Sequence, residues 1–207
     1  DRRQRQMCIR DRLLSKKGIR LNNGGASSGG VIRFGLMNIK EFRASDLDVM
    51  QRLVGLKLKK FFKQLDFYIF VFGDETEYTL HTYCTFKVRQ DNRILLTAAD
   101  ENYYPNCEPM PVKVYKKDPM HLKSLLKTNT EKLMQILGDS VIKSVKVTDT
   151  ADIIIEFENG VVMEFFIDYT WQNSEYFRFF KLDDSDNPHY VVKFYDGFIM
   201  IKLGKID

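Results

Sequence analysis

Residues 153–166 read Ile153-Ile154-Ile155-Glu156-Phe157-Glu158-Asn159-Gly160-Val161-Val162-Met163-Glu164-Phe165-Phe166. Two runs rich in β-branched and aromatic residues flank Asn159-Gly160, a dipeptide typical of a two-residue hairpin turn. The turn predicts an antiparallel pair in which Phe157 lies opposite Val162, Ile155 opposite Glu164 and Ile153 opposite Phe166. Both faces of this hairpin carry apolar side chains, so we expect both to be partly covered.

Further strands are predicted on both sides of the hairpin from apolar runs and alternation. They are Leu56–Phe62, Asp66–Phe72, Tyr78–Val88, Ile94–Leu96, Val141–Val147, Ser174–Leu182, Tyr190–Tyr195 and Phe198–Leu203. Asp66–Phe72 is almost continuously apolar, which is typical of a central strand covered on both faces. Tyr78–Val88 alternates, which predicts a core face and a wetter face that carries His81 and Tyr83.

Helical spacing predicts one long helix at about 119–137. Asp118-Pro119 suits its start, Gly138 suits its end, and a stripe of apolar residues would face the core. The stripe consists of Leu122, Leu125, Leu126, Leu133, Ile136 and Leu137. A short N-terminal helix from Ser45 or Asp46 to about Leu53 is also predicted, since Leu47, Met50 and Leu53 recur every third residue.

These elements predict an α+β fold that is mainly antiparallel sheet. The strands between 56 and 88 echo those between 141 and 170 at an offset of about 85 residues. Two meander-like halves, 37–117 and 118–207, are therefore one interpretation. A β-rich chain without duplication shows similar echoes, and this alternative stays open.

The N-terminal segment resembles DNA rather than protein. Residues 6–12, Gln6-Met7-Cys8-Ile9-Arg10-Asp11-Arg12, can be back-translated as CAG ATG TGT ATA AGA GAC AGN. This contains AGATGTGTATAAGAGACAG, which resembles the transposon end used to prepare sequencing libraries and indicates a metagenomic source. We expect residues 1–36 to be an artefact or a disordered tail, and residues 37–207 to be a single domain that starts at Met37.

Removing this segment changes the charge. Residues 1–36 hold nine Lys or Arg and two Asp or Glu, whereas the other 171 residues hold 23 and 26. The domain is therefore mildly acidic, and its charge predicts no nucleic-acid partner. No run approaches the ~20 apolar residues that span a membrane, and the start at Met37 is polar, so we expect no membrane association and a cytoplasmic location.

His81 is the most suggestive candidate for a site, because it lies in mid-strand beside Tyr83. Glu175 or Asp100 would be its partner in a small hydrolase, provided that folding brings them within hydrogen-bond reach. A histidine bonded to a neighbouring strand is the simpler interpretation. Trp171 is expected in a turn between strands, where it either anchors the turn or projects as a binding hot spot.

No catalytic set, metal site or cofactor is predicted. His81 and Cys84 are three residues apart, which sends them to opposite faces of a strand and disfavours a shared zinc ion. Cys84 is expected to face the core as an inert thiol, and Cys107 lies in a loop without a base nearby in sequence.

Several segments resemble an uncharacterised bacterial family. Its members carry a Leu-His-x-x-Cys strand, an Asp-x-Tyr-x-Pro-like segment and a Glu-x-x-Arg-Phe-Phe strand. The matching residues here are Tyr78–Cys84 with Ile94–Leu96, Asp100–Pro105, Glu175–Phe180 and Pro188–Val192. The family often has Trp-Arg after the cysteine, whereas this chain has Phe86-Lys87. The resemblance adds Arg178 to the candidate binding residues. By their size and kind, such proteins also resemble immunity proteins, which neutralise a toxin by binding it.

Three functions are therefore carried forward. The first is a non-enzymatic cytosolic binding domain, for example an immunity protein. Its acidity would suit a basic toxin as its protein partner. The second is a small hydrolase or ligand-binding enzyme that uses the polar strand face around His81. The third is a structural subunit that needs its partner for stability, which predicts a large apolar patch.

Overall fold

The computed structural model describes residues 38–111, 114, 122–182 and 188–204. Two expectations lie outside these residues: the tail at 1–36 and the helix start at Asp118-Pro119. The described residues form twelve strands in two antiparallel sheets, one α-helix and two 3-10 segments. The predicted α+β class with mainly antiparallel sheet is therefore confirmed.

The strands follow the predicted segments closely, with one addition at the N-terminal end. They are β1 Asn38–Glu41, β2 Leu58–Gln64, β3 Phe67–Phe72, β4 Tyr78–Thr82, β5 Thr85–Gln90, β6 Arg93–Thr97, β7 Ile142–Val147, β8 Ile153–Phe157, β9 Val161–Phe166, β10 Glu175–Lys181, β11 His189–Tyr195 and β12 Phe198–Gly204. The seven-stranded sheet has the order β1-β12-β11-β10-β4-β3-β2, and the five-stranded sheet has the order β6-β5-β9-β8-β7.

The long helix is shorter than the sequence predicts. Helix α1 spans Leu125–Leu137 after an N-cap at Ser124, and the residues just before it form turns. Leu126, Leu133 and Leu137 are buried as expected, but Leu122 lies in the turn before the helix and is exposed, and Ile136 is exposed because it lies off the face that packs against β2 and β6. The predicted stripe was therefore too wide.

The short N-terminal helix is not a regular α-helix. Ala44–Leu53 forms 3-10 turns with a kink at Leu47, and a second 3-10 segment spans Ala98–Asn102. Leu47, Met50 and Leu53 are still buried, because residues at spacing three eclipse one another in a 3-10 helix and so share one face. The spacing identified the buried face but not the type of helix.

The predicted strand Tyr78–Val88 belongs to both sheets. Its first part is β4 of the seven-stranded sheet and its second part is β5 of the five-stranded sheet. The alternation continues across the break: Tyr78, Leu80, Thr82, Cys84, Phe86 and Val88 are all buried. Since both sheets turn the same face to one core, the chain changes sheets without changing its burial pattern.

Aromatic side chains join the two sheets at the centre of this core. The ring of Phe86 on β5 contacts Phe61, Tyr68 and Phe70 edge-on, at 5.5, 4.9 and 5.4 Å between centroids. Phe70 also meets Phe165 of β9 edge-on at 4.9 Å. Edge-to-face pairs add about 0.5–1.5 kcal/mol beyond the burial of their area, so this cluster is a main source of cohesion between the sheets.

The register predicted for the hairpin was wrong by one residue. Ile155 lies opposite Met163, and Ile153 lies opposite Phe165. The loop has three residues, Glu158–Gly160, in which Gly160 adopts φ +81° and donates its N–H to the carbonyl of Phe157 at 3.0 Å. A three-residue loop with glycine in the left-handed region shifts the register, and the shift pairs Ile153 and Ile155 with the apolar residues Phe165 and Met163 on the core side.

The two sequence halves do not correspond to the two sheets. Strand β4 of the first half pairs with β10 of the second, and β9 of the second half pairs with β5 of the first. Each three-stranded meander, β2-β3-β4 or β7-β8-β9, is therefore extended by strands from the other half. This exchange is why neither 37–117 nor 118–207 contains a complete sheet.

Candidate functional site

The candidate site lies on the face of the seven-stranded sheet that points away from the core, called here the outer face. Side chains alternate along a strand, so a residue whose neighbours along the chain point into the core points to this outer face. Its central residues are Phe67, Ile69 and Val71 of β3, Thr79 and His81 of β4 with Tyr83 after it, Glu175, Arg178 and Phe180 of β10, and His189 and Val191 of β11. Ile69, Val71 and Val191 are buried although they point away from the core.

The two strand motifs noted in the sequence meet on this face. His81 lies directly opposite Arg178 in the register of β4 and β10, and Thr79 lies opposite Phe180. The Leu-His-x-x-Cys and Glu-x-x-Arg-Phe-Phe segments are separated by more than ninety residues in sequence but are adjacent strands in the sheet. Folding therefore brings His81, Tyr83, Glu175 and Arg178 together, as four of the six predicted site residues.

An irregularity in β10 places Glu175 on the same face as Arg178. Two residues three positions apart on a regular strand point to opposite faces, but the register between β10 and β11 shifts between Glu175 and Phe177. Such bulges re-aim side chains and are frequent near functional sites. Here the bulge lets the Arg178 guanidinium donate two hydrogen bonds to the Glu175 carboxylate, from Nε to Oε1 at 2.9 Å and from Nη2 to Oε2 at 2.7 Å.

The Arg178–Glu175 pair is largely removed from water. The side chain of Glu175 is 9% exposed and that of Arg178 is 24% exposed. Burial alone would lower the pKa of Arg178, but the bonds to Glu175 outweigh it and raise that pKa above its ordinary value. The pair is therefore charged, rigid and held at the middle of the face.

Two histidines and two phenylalanines surround this pair. The ring of His81 lies 5.0 Å from Phe67 and 5.1 Å from Phe180, and His189 stacks on Phe180 at 4.2 Å and 9°. Burial, together with the charges of Arg178 and His189, lowers the pKa of His81 to about 4. Burial and Arg178 also lower the pKa of His189. Both imidazoles are thus neutral near pH 7 and pack as polar aromatic rings.

Two polar atoms on this face are buried without a hydrogen-bond partner among the described residues. They are Oγ1 of Thr79 and Nδ1 of His189, which lie on either side of the Phe180 strand position. An unsatisfied buried donor or acceptor costs about 1–3 kcal/mol. The row Thr79–Phe180–His189 is therefore the least satisfied part of the sheet surface.

The structure separates Asp100 from this cluster. Asp100 lies in the second 3-10 segment, where its carboxylate accepts bonds from Thr97 Oγ1 and from Asn129 Nδ2, both at 2.8 Å. These contacts tie β6 to helix α1. They supply no contact to His81, so the pairing of His81 with Asp100 has no structural basis.

Trp171 holds a turn rather than joining the site. Its ring is half-buried and lies 5.2 Å from that of Tyr169, and its carbonyl accepts a bond from the Ser174 N–H at 3.1 Å. Tyr169 and Tyr176 then bond reciprocally to the backbone, with Tyr169 Oη donating to Glu175 O and Tyr176 Oη donating to Tyr169 O. This network supports the strand end that carries Glu175, so Trp171 contributes to the site through its scaffold.

Sequence reasoning did not assign three members of the cluster: Phe67, Phe180 and His189. The alternation that placed His81 on the wetter face would also have placed Phe180 opposite it, had the pairing of β4 with β10 been known. The missing information was that pairing, which is non-local.

Two groups that could react in or near this face have shifted pKa values. Burial raises the pKa of the Cys84 thiol above its ordinary value, so it is an inert core residue. A base with a pKa of about 4, such as His81, has little driving force to take a proton at neutral pH. Over the described ranges, no group of three or more His, Cys, Asp or Glu could hold a metal ion.

Neither a family model, nor a curated protein sequence, nor a solved structure matches this chain. Among the helices that the structure describes, none has the length and apolar character needed to cross a membrane.

Proposed function

We propose that this protein is a binding domain that recognises a protein partner through the outer face of the seven-stranded sheet, as immunity-type proteins bind toxins. The observation that carries the proposal is the clamped Arg178, set among Phe67, His81, Phe180 and His189. Rigid aromatic and arginine side chains at the centre of a face are the residues that dominate binding energy at protein interfaces.

The pre-organisation of Arg178 favours recognition. Its fork is held by Glu175 before any partner arrives, so little side-chain entropy would be lost on binding. The neighbouring rings are packed against one another and have few accessible rotamers. These features support tight binding by a small number of residues.

The second function, an enzyme that uses His81, has less support. Both carboxylate oxygens of Glu175 accept hydrogen bonds from Arg178, and the Asp100 carboxylate is bonded to Asn129. His81 therefore has neither of the partners that a general base would need. The toxin as the kind of partner comes from the likeness to immunity proteins of similar size and kind, and the experiment below tests it.

The test starts from the gene neighbourhood of this chain in intact assembled DNA. A toxin gene next to it is expressed in cells together with this protein, and survival is measured. We expect wild-type protein to protect the cells and Arg178→Ala to lose protection, with an affinity for the purified toxin reduced at least about 30-fold, as for a hot-spot residue.

Arg89→Ala is the matched control. Arg89 is also an ion-paired arginine on a sheet face, but it is more exposed than Arg178 and lies on the five-stranded sheet beside Glu164. The Arg89→Ala variant should protect the cells from the toxin as well as the wild-type protein does. Equal loss in both variants at unchanged melting temperatures, or a neighbourhood of metabolic genes without a toxin, would contradict the proposal.

A further inference from the structure

We propose that the centre of the outer face is built to receive an acidic side chain of the partner protein, with Arg178 as the group that binds its carboxylate. This rests on the proposed function and adds the chemistry of the contact. The candidate partner would therefore present an Asp or Glu at the middle of its interface, even if the partner as a whole is basic.

Arg178 has donors left for this purpose. A guanidinium carries five N–H groups, and the two bonds to Glu175 use those of Nε and one of Nη2. Both hydrogens of Nη1 and the second of Nη2 lie outside this clamp, along the end of the fork. That end matches a carboxylate in a two-point contact.

The local charge favours an anion. Glu175 neutralises Arg178, but Lys202 of β12 lies opposite Val191, which itself lies opposite Arg178. Neighbouring strands are about 4.8 Å apart, so the Lys202 ammonium group is within reach of a carboxylate held at Arg178. The face around Arg178 is thus locally positive, although the domain from residue 37 onward has more acidic than basic residues.

The same balance disfavours a polyanion. Nucleic acid would meet the net negative charge of the whole domain, whereas a single carboxylate on a protein surface meets only the local positive field.

The experiment uses a small probe, because it does not require the partner. N-acetyl-glutamate N-methylamide is titrated into the full chain, and the Arg178 Nε–H and histidine ring signals are followed by NMR. We expect saturable shifts at Arg178, His81 and His189 with millimolar affinity. N-acetyl-glutamine N-methylamide, which has the same shape without the charge, should leave these signals unchanged.

Arg178→Gln should remove the response, and Arg89→Gln should keep it. Shifts of equal size at Arg89 and Arg178, shifts produced equally by the glutamine probe, or no shift at saturation would overturn the inference. A stronger response to a short oligonucleotide than to the glutamate probe would overturn it in favour of nucleic acid.

The toxin complex separates this inference from the proposed function. With the partner in hand, Arg178→Glu should weaken binding at least about 100-fold, and an Asp or Glu to Arg change in the partner should restore much of the loss. If Phe180→Ala and Arg178→Ala weaken the complex but no acidic partner residue couples to Arg178, the outer face is the interface and the acidic contact is wrong.

Discussion

The two sheets present the same kind of face to the core and opposite kinds of face to the outside. On the five-stranded sheet, the outward residues form ordinary ion pairs: Lys87 and Arg89 with Glu164, and Lys143 with Glu156. On the seven-stranded sheet, the outward residues are rings around one enclosed ion pair. Core packing does not require an enclosed ion pair on an outer face, and the second pattern is therefore the observation behind the proposed binding surface.

The largest effect on stability is expected in the core, to which both sheets present apolar faces. Phe86→Ala removes a fully buried ring that contacts three others, and should lower the free energy of unfolding by about 3–5 kcal/mol. Phe166→Ala is the control, because Phe166 lies on the same sheet but points outward and is 38% exposed. Urea unfolding of both variants measures the difference. Similar losses would mean that the outer face of the five-stranded sheet is also packed.

The next effect compares the two outer faces directly. Glu175→Ala leaves Arg178 charged, enclosed and unpaired, and should cost about 2–4 kcal/mol of stability. Glu164→Ala on the five-stranded sheet should cost under about 1 kcal/mol, because its partners Lys87 and Arg89 are exposed enough to be solvated. Thermal melting of the two variants decides. Equal costs would remove the distinction between the faces.

The pH dependence of stability sharpens the comparison further. The pKa of His81 is about 4 in the folded protein and about 6.5 in an unfolded chain, so below about pH 6.5 the unfolded state binds a proton that the folded state does not. Stability is therefore full above pH 6.5 and falls as the pH drops towards 4, by about 1–2 kcal/mol once partial exposure is allowed for. Because His189 shifts in the same direction, it adds to this loss.

The variant His81→Phe keeps a ring in place but cannot bind a proton. Its unfolding free energy, measured between pH 7 and pH 4, should fall less steeply than that of wild type. An identical dependence of the unfolding free energy on pH in the two proteins would show that His81 has an ordinary pKa and that the outer face is open to water around it.

The smallest effect tests the loop that sets the register of the five-stranded sheet. Gly160 adopts φ +81°, and a Cβ there would meet no atom within 4 Å, so Gly160→Ala introduces backbone strain without a clash. We expect a loss of about 1 kcal/mol in chemical denaturation. Gly204→Ala, in β12 of the other sheet at an ordinary backbone conformation, should cost less. A larger loss for Gly204→Ala would contradict this explanation of the hairpin.

Local patterns predicted the elements well and their partners poorly. The run Phe67–Phe72 was identified as a strand covered on both faces, and residues 68–72 are all buried. The loop after Phe157 was misjudged because Asn159-Gly160 suits both a two-residue and a three-residue turn, and neighbouring residues do not distinguish them. The stripe on α1 was too wide because sequence spacing does not reveal which strands the helix meets.

The site shows the same limit. His81 and Tyr83 were selected because they alternate with core residues in one strand, a local property. Arg178 came from a motif and Glu175 was proposed as a carboxylate partner for His81, and the bulge that turns Glu175 toward Arg178 has no signature in the residues themselves. Asp100 was grouped with His81 only by residue type, and its real partners are Thr97 and Asn129.

The sequence by itself determined the strands, the buried face of each and the α+β class, because alternation and turn residues act over a few positions. Only the tertiary structure decided that Tyr78–Val88 crosses between sheets and that β4 pairs with β10. It also decided that His81 lies opposite Arg178 among neutral rings. Strand pairing depends on which apolar faces bury one another across the whole chain, so the residues of a single strand do not encode its neighbour.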